Sequence, residues 1–178
     1  MTTPEIINFC IKSVDRPFLV IGGHAVIALG YSRTTADLDL LVRKADRETW
    51  AKALAAAGYE CFHSHENFQQ FRSANPGGMD LDLMFVSDAT FDGIFGTSRE
   101  ARFGAATVRI PSLQHLIALK LHVLKQGIEH RMLGDLDDVI QLALVNRIDL
   151  EQVEWKQIFE KYGNQELYEK VRHAIRAS

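Results

Sequence analysis

The sequence predicts an α+β fold: a mixed, mainly antiparallel sheet backed by helices, followed by a C-terminal helical portion. Three observations carry that expectation. Short apolar runs with strand alternation recur between Phe18 and Ile110, broken by glycine and proline turns. From Pro111 onward apolar residues instead recur at helical spacing. Neither an internal repeat, a low-complexity tract nor a Gly/Ser linker separates the two stretches. The expected division is a core over residues 1–110 and a helical portion over 111–178, packed on the core and closing one side of a cleft.

The first helix opens at Thr3 and Pro4, a capping residue followed by a proline suited to a first turn, and Ile6, Ile7, Cys10 and Ile11 give it an apolar stripe. The stretch from Phe18 to Arg43 reads as strand, glycine turn, short helix and strand. Its apolar run (Phe18 to Ile21) stops at Gly22 and Gly23, and its second run opens with Asp37 and Asp39. Asp46 caps a helix through about Ala57, with Gly58 as its stop. Strands follow at Tyr59 to His63 and Phe68 to Ser73, then a turn at Asn75-Pro76-Gly77-Gly78, then a strand from Met79 to Val86. Thr90 to Gly96 reads as a short helix or loop and Ala106 to Ile110 as a final edge strand.

In the helical portion, Ser112 caps a helix to Gln126 that Gly127 ends. Asp135, Asp137 and Asp138 open the next, to about Asn146. There the first two satisfy the helix dipole, and Asp138 shares a side with Leu142 and Val145. Two packing helices run near Asp149 to Tyr162, with Val153, Ile158 and Phe159, and from Gln165 to Ala177, with Leu167, Val171 and Ile175.

The bulk numbers exclude several classes. A chain of 178 residues with 47% hydrophobic and 24% charged residues has the composition of an ordinary folded domain. A net charge of −3 speaks against a strong nonspecific grip on duplex nucleic acid. Cys10 and Cys61 fit no zinc spacing and read as free thiols. Neither a basic and apolar leader nor a membrane-length apolar run is present, so the expected location is the cytoplasm, away from membranes. The sequence has no P-loop, no G-x-G-x-x-G, no G-x-S-x-G and no EF-hand spacing. The pairs His63/His65 and His115/His122 lack a third zinc ligand, and His24, next to the glycines, is left without a role.

The chemistry concentrates in the central stretch. Side chains alternate along a strand, so Asp37 and Asp39 point one way and Leu38, Leu40 and Val42 the other. Two like charges side by side are unfavourable unless a cation intervenes, and carboxylates without thiolate or imidazole suit Mg²⁺ or Mn²⁺. An exposed, solvated strand edge is the plain alternative. The glycines add a second feature, because successive N–H groups in such a turn bind anions. A carboxylate pair facing a glycine turn is a place to hold a nucleoside triphosphate. A second pair, Asp80 and Asp82, lies in the other apolar strand able to supply the further carboxylate that two-metal chemistry needs. Lys120 falls inside the apolar stripe Leu113, Leu116, Ile117, Leu121 and Leu124. Such an ammonium meets either a core-facing carboxylate or a phosphate.

Ile21-Gly22-Gly23, thirteen residues, then Asp37-Leu38-Asp39-Leu40 resembles the signature of the nucleotidyltransferase superfamily. That superfamily has the DNA polymerase beta-like fold and includes lincosamide and aminoglycoside nucleotidyltransferases and abortive-infection type toxins. Gly30 to Asp37 is similar to the G-x-x-R-x-T-x-D version of the small bacterial members, which brings in Arg33. Ser112 to Lys120, then Arg131, then Asp135 and Asp138 resemble the K, R and K-D-x-x-D segment of the toxin branch, with Gly134 where a lysine is usual.

The resemblance implies that Asp37, Asp39 and Asp82 are catalytic and hold two Mg²⁺ ions. Asp82, before Leu83, Met84 and Phe85, fits the third-carboxylate pattern better than Asp80 does. Gly22, Gly23, Arg33 and Lys120 would bind the triphosphate, such as ATP. The acceptor implied is the hydroxyl of an RNA such as a tRNA end, of a protein, or of a small molecule such as an antibiotic. An antitoxin or a second copy is the implied partner. The competing reading is a catalytically silent nucleotide- or partner-binding module, such as one component of a toxin-antitoxin pair.

Overall fold

The computed structural model describes residues 1–127 and 129–177, and the side chains of residues 129–132 fall outside that description. Two compact units make up the chain: Met1–Ala25 with Arg33–Pro111, and Val26–Ser32 with the residues from Ser112 onward.

In the first unit α1 (Thr3–Ser13) starts one residue earlier than its cap suggested. Thr2 is the N-cap, and its backbone N–H donates to the Glu5 carboxylate at 2.7 Å. Ile6, Ile7 and Cys10 are buried as expected, whereas Ile11 is exposed, and burial pushes the Cys10 thiol up to about 12. β1 is only Leu19–Val20, and α2 (Gly22–Ala28) follows almost at once; the division between the units falls inside it, after Ala25. β2 (Asp37–Arg43) leads through a 3-10 turn at Lys44–Asp46 into α3 (Arg47–Ala56). Asp46 stands at the N-cap of α3 but its side chain makes no cap bond; it pairs with Arg16 at 3.1 Å.

β3 (Tyr59–Ser64), β4 (Phe68–Ser73) and β5 (Asp80–Val86) follow, then α4 (Asp88–Gly96), capped by Ser87 accepting the Thr90 N–H. The five-stranded sheet has the order β1-β2-β5-β4-β3, with β2 and β5 parallel and every other pair antiparallel. The mixed, mainly antiparallel α+β fold is therefore present. One strand is corrected: β7 (Ala106–Ile110) pairs with β6 (Arg99–Phe103) in a separate two-stranded sheet, not at the edge of the main one.

The second unit carries α5 (Leu113–Lys125), α6 (Glu129–Val145), α7 (Val153–Tyr162) and α8 (Gln165–Arg176). Ser112 accepts the His115 N–H and Asn164 the Leu167 N–H, so both helices begin at side-chain caps. Gly127 at φ +69° lies just beyond α5, where it was read as a stop. Two readings are overturned. α6 begins at Glu129, so Asp135, Asp137 and Asp138 sit in its interior and cap nothing. Val153 is 69% exposed, while Trp155 and Phe159 carry the buried side of α7. Among the described residues no helix is long and apolar enough to cross a membrane.

Candidate active site

β2 and β5 run parallel in an unbroken register that sets Asp37 opposite Asp80 and Asp39 opposite Asp82. The same pairing sets Leu38 beside Leu81 and Leu40 beside Leu83, all four fully buried. Alternation therefore sends the leucines into the core and the aspartates to the other face. There one oxygen from each of Asp37, Asp39 and Asp82 lies within 4.8 Å of the others, on half-buried side chains. At that separation each carboxylate pair repels by roughly 3 kcal/mol at an effective dielectric near 20. A carboxylate-only set at this spacing fits a hard divalent cation.

The register leaves Asp80 and Asp82 equivalent, and their neighbours separate them. Asp80 Oδ1 accepts the Ser73 N–H at 3.1 Å, tying down the turn before β5. Asp82 Oδ2 accepts from Gln70 Nε2 at 2.8 Å and joins the cluster with Asp37 and Asp39.

The glycine turn adjoins the cluster. Ile21 N–H donates to Asp39 O at 2.9 Å, which brings the turn against β2. Gly22 has φ +59°, and a Cβ there would overlap the Asp39 carboxylate. A Cβ on Gly23 would collide with the Thr35 side chain and lie 3.6 Å from Arg33 Cζ. Thr35 Oγ1 in turn lies 3.3 Å from both the carbonyl O and Oδ1 of Asp37. Arg33 donates through Nε to Thr34 O at 3.1 Å, and with Gly22, Gly23, Asp37, Asp39 and Asp82 it belongs to the first unit. Thr35 and Gln70 escaped the sequence reading. The threonine of G-x-x-R-x-T-x-D was the one available signal, and nothing in the sequence marked Gln70.

His24 is buried behind this turn. Its Nε2 lies 3.0 Å from Thr3 Oγ1, and its ring meets Phe103 edge-on at 5.9 Å. Burial holds the imidazole below the usual histidine range.

Lys120 belongs to the second unit and is 6% exposed. Its Nζ lies 2.7 Å from Asp135 Oδ1 and 2.6 Å from Asp138 Oδ2, and Asp138 is 1% exposed. Residues three apart share a helix face, so D-x-x-D on α6 presents two carboxylates to one ammonium on α5. Asp137, off that face, accepts from the Tyr31 hydroxyl at 2.9 Å. The side chain of Arg131, which the resemblance brought in, lies outside the described residues.

The chain belongs to a nucleotidyltransferase family: a family model described as an uncharacterised nucleotidyltransferase matches residues 28–176. A comparison with curated proteins finds no match. Among solved structures, ANT(2″)-Ia in complex with adenylyl-2″-tobramycin is similar, with a TM-score of 0.62 at 17% identity, over 99% of this chain and 98% of that one. An antigenic nucleotidyltransferase-like protein from Paracoccidioides brasiliensis gives 0.60 at 15% identity, over 98% of this chain and 90% of that one. The lincosamide antibiotic adenylyltransferase LnuA, lincomycin-bound, gives 0.54 at 13% identity, over 76% of this chain and 94% of that one. At these identities the likeness is one of fold.

Two predictions follow from the geometry. Gly22→Ala forces a side chain onto a positive φ and into Asp39; melting should show a clear loss of stability, and an unchanged midpoint would contradict the close approach. Lys120→Met leaves Asp135 and Asp138 facing each other without their ammonium. Urea unfolding should register a loss of about 3–5 kcal/mol, and a change under about 1 kcal/mol would contradict a buried ion-pair role.

Proposed function

We propose that the chain is a metal-dependent nucleotidyltransferase, moving a nucleoside monophosphate from a nucleoside triphosphate to an acceptor hydroxyl with release of pyrophosphate. The observation that carries this reading is the meeting of Asp37, Asp39 and Asp82 oxygens within 4.8 Å, beside a glycine turn that no side chain could replace. Family membership supports it.

In this reading the three aspartates hold Mg²⁺ or Mn²⁺, for which an all-carboxylate donor set is suited. The bound cations supply charge neutralisation to the triphosphate and its transition state. Gly22 and Gly23 turn backbone N–H groups toward the β and γ phosphates. Asp82 orients the acceptor hydroxyl and takes its proton as that oxygen bonds to the α-phosphorus. The bond from the α-phosphorus to the bridging oxygen of the β-phosphate breaks, and pyrophosphate leaves. Arg33, whose guanidinium carbon would lie 3.6 Å from a Cβ on Gly23, offsets the charge of the departing group. Lys120 is the second cation of the reading; Asp135 and Asp138 engage its ammonium, which has three donors. Positioning and electrostatics suffice for such a transfer without a covalent nucleophile.

The solved structures named with adenylyl-tobramycin and with lincomycin support ATP as the first donor to test and a small-molecule hydroxyl as the first acceptor. The reading assigns the chain to the cytoplasm.

Pyrophosphate release from each triphosphate should require Mg²⁺ or Mn²⁺ and stop when the metal is chelated. Asp39→Asn should lower release about a hundredfold or more while the circular dichroism spectrum stays that of the wild type. Equal release by that variant would refute the assignment.

A further inference from the structure

Four neighbouring strands place four polar residues in one row across the sheet. Asp39 on β2 lies opposite Asp82 on β5, Asp82 opposite Gln70 on β4, and Gln70 opposite His63 on β3. The last three are joined by hydrogen bonds. Gln70 Nε2 is 2.8 Å from Asp82 Oδ2, and Gln70 Oε1 is 3.2 Å from His63 Nδ1.

The amide can be oriented by chemistry alone. An ionised carboxylate only accepts, so the Gln70 NH₂ must face Asp82 and its carbonyl must face His63. A carbonyl also only accepts, which requires the proton on Nδ1 of His63. Phe68 fixes the imidazole in turn: the two rings meet edge-on at 5.0 Å, and His65 stacks on the same phenyl ring at 5.1 Å.

We infer that Gln70, held by His63, is the positioning residue for Asp82, setting that carboxylate for a divalent cation; this rests on the metal-dependent reading above. A neutral amide suits the task. It fixes one oxygen of Asp82 without cancelling the charge the cation needs, as a lysine or arginine there would do. Carboxylates that ligate metals are commonly held by such outer hydrogen bonds, whose loss costs about tenfold to a hundredfold in metal affinity.

The test uses Mn²⁺ alone, titrated into the whole chain and followed by the paramagnetic resonance of the free ion. Gln70→Met, of similar length, and Gln70→Asn, whose amide falls short, should each weaken Mn²⁺ binding about tenfold or more with little change in melting temperature. If one variant fails to fold, the other carries the comparison. His63→Ala should weaken binding by a smaller factor, and should add nothing in the Gln70→Met background, because it acts through the amide. Wild-type affinity in a folded Gln70 variant would overturn the inference. So would a His63→Ala effect that persists undiminished without Gln70. Asp39→Asn separates this failure from that of the site itself: a wild-type chain that holds no Mn²⁺, or an Asp39→Asn chain that holds it as well as wild type, sinks the metal reading and the positioning role with it.

Discussion

Parallel pairing of β2 with β5 is the constraint on which the site depends, because it converts two unremarkable aspartate pairs into a cluster of three. The pairing works against like-charge repulsion of roughly 3 kcal/mol per carboxylate pair. On the opposite face Leu38, Leu40, Leu81 and Leu83 are fully buried, and each such burial is worth about 2 kcal/mol. The apolar face therefore offsets much of the repulsion, and a cation would remove what remains. A slip of one residue would exchange the faces, placing leucines in solvent and carboxylates in the core. Register, core and site are consequently one decision.

The glycine turn is bound to the same decision. Gly22 is glycine for two independent reasons, a positive φ and the nearness of the Asp39 carboxylate, so the turn and the DxD strand fit only each other. Thr35 and Arg33 wall the other side at Gly23, and Thr35 reaches Asp37 as well. The short segment before β2 thus links the glycine turn with the first carboxylate. In the second unit a separate constraint operates, in which two acids on one face of α6 satisfy an ammonium that α5 carries into its apolar stripe.

Much of this was legible in the sequence because it follows from local periodicity. β4 spans the expected residues, and β5, α5 and α8 lie within a residue or so of expectation. The same periodicity misled where it lacked contrast. β6 reads Arg99-Glu100-Ala101-Arg102-Phe103 and is largely exposed, so no apolar alternation announced it. Asp135, Asp137 and Asp138 looked like an acidic first turn, yet they lie in the interior of α6. The grouping of Val26–Ser32 with the C-terminal helices is a matter of long-range contact and left no local trace. Within the site, alternation put Asp80 and Asp82 on one face and could go no further. Only pairing with β4, which gives Asp82 to Gln70 and leaves Asp80 to the Ser73 N–H, tells them apart.

The central claim is that the Asp37, Asp39 and Asp82 oxygens together form one site for divalent cations at the glycine turn. Crystals of the chain grown with Mn²⁺ and a non-hydrolysable triphosphate, measured at the manganese absorption edge, test it most directly. The account predicts an anomalous peak within ligand distance of all three carboxylates, with the triphosphate oxygens reaching it from the side of Gly22 and Gly23. A peak bound elsewhere, or a triphosphate seated away from the turn, would contradict it.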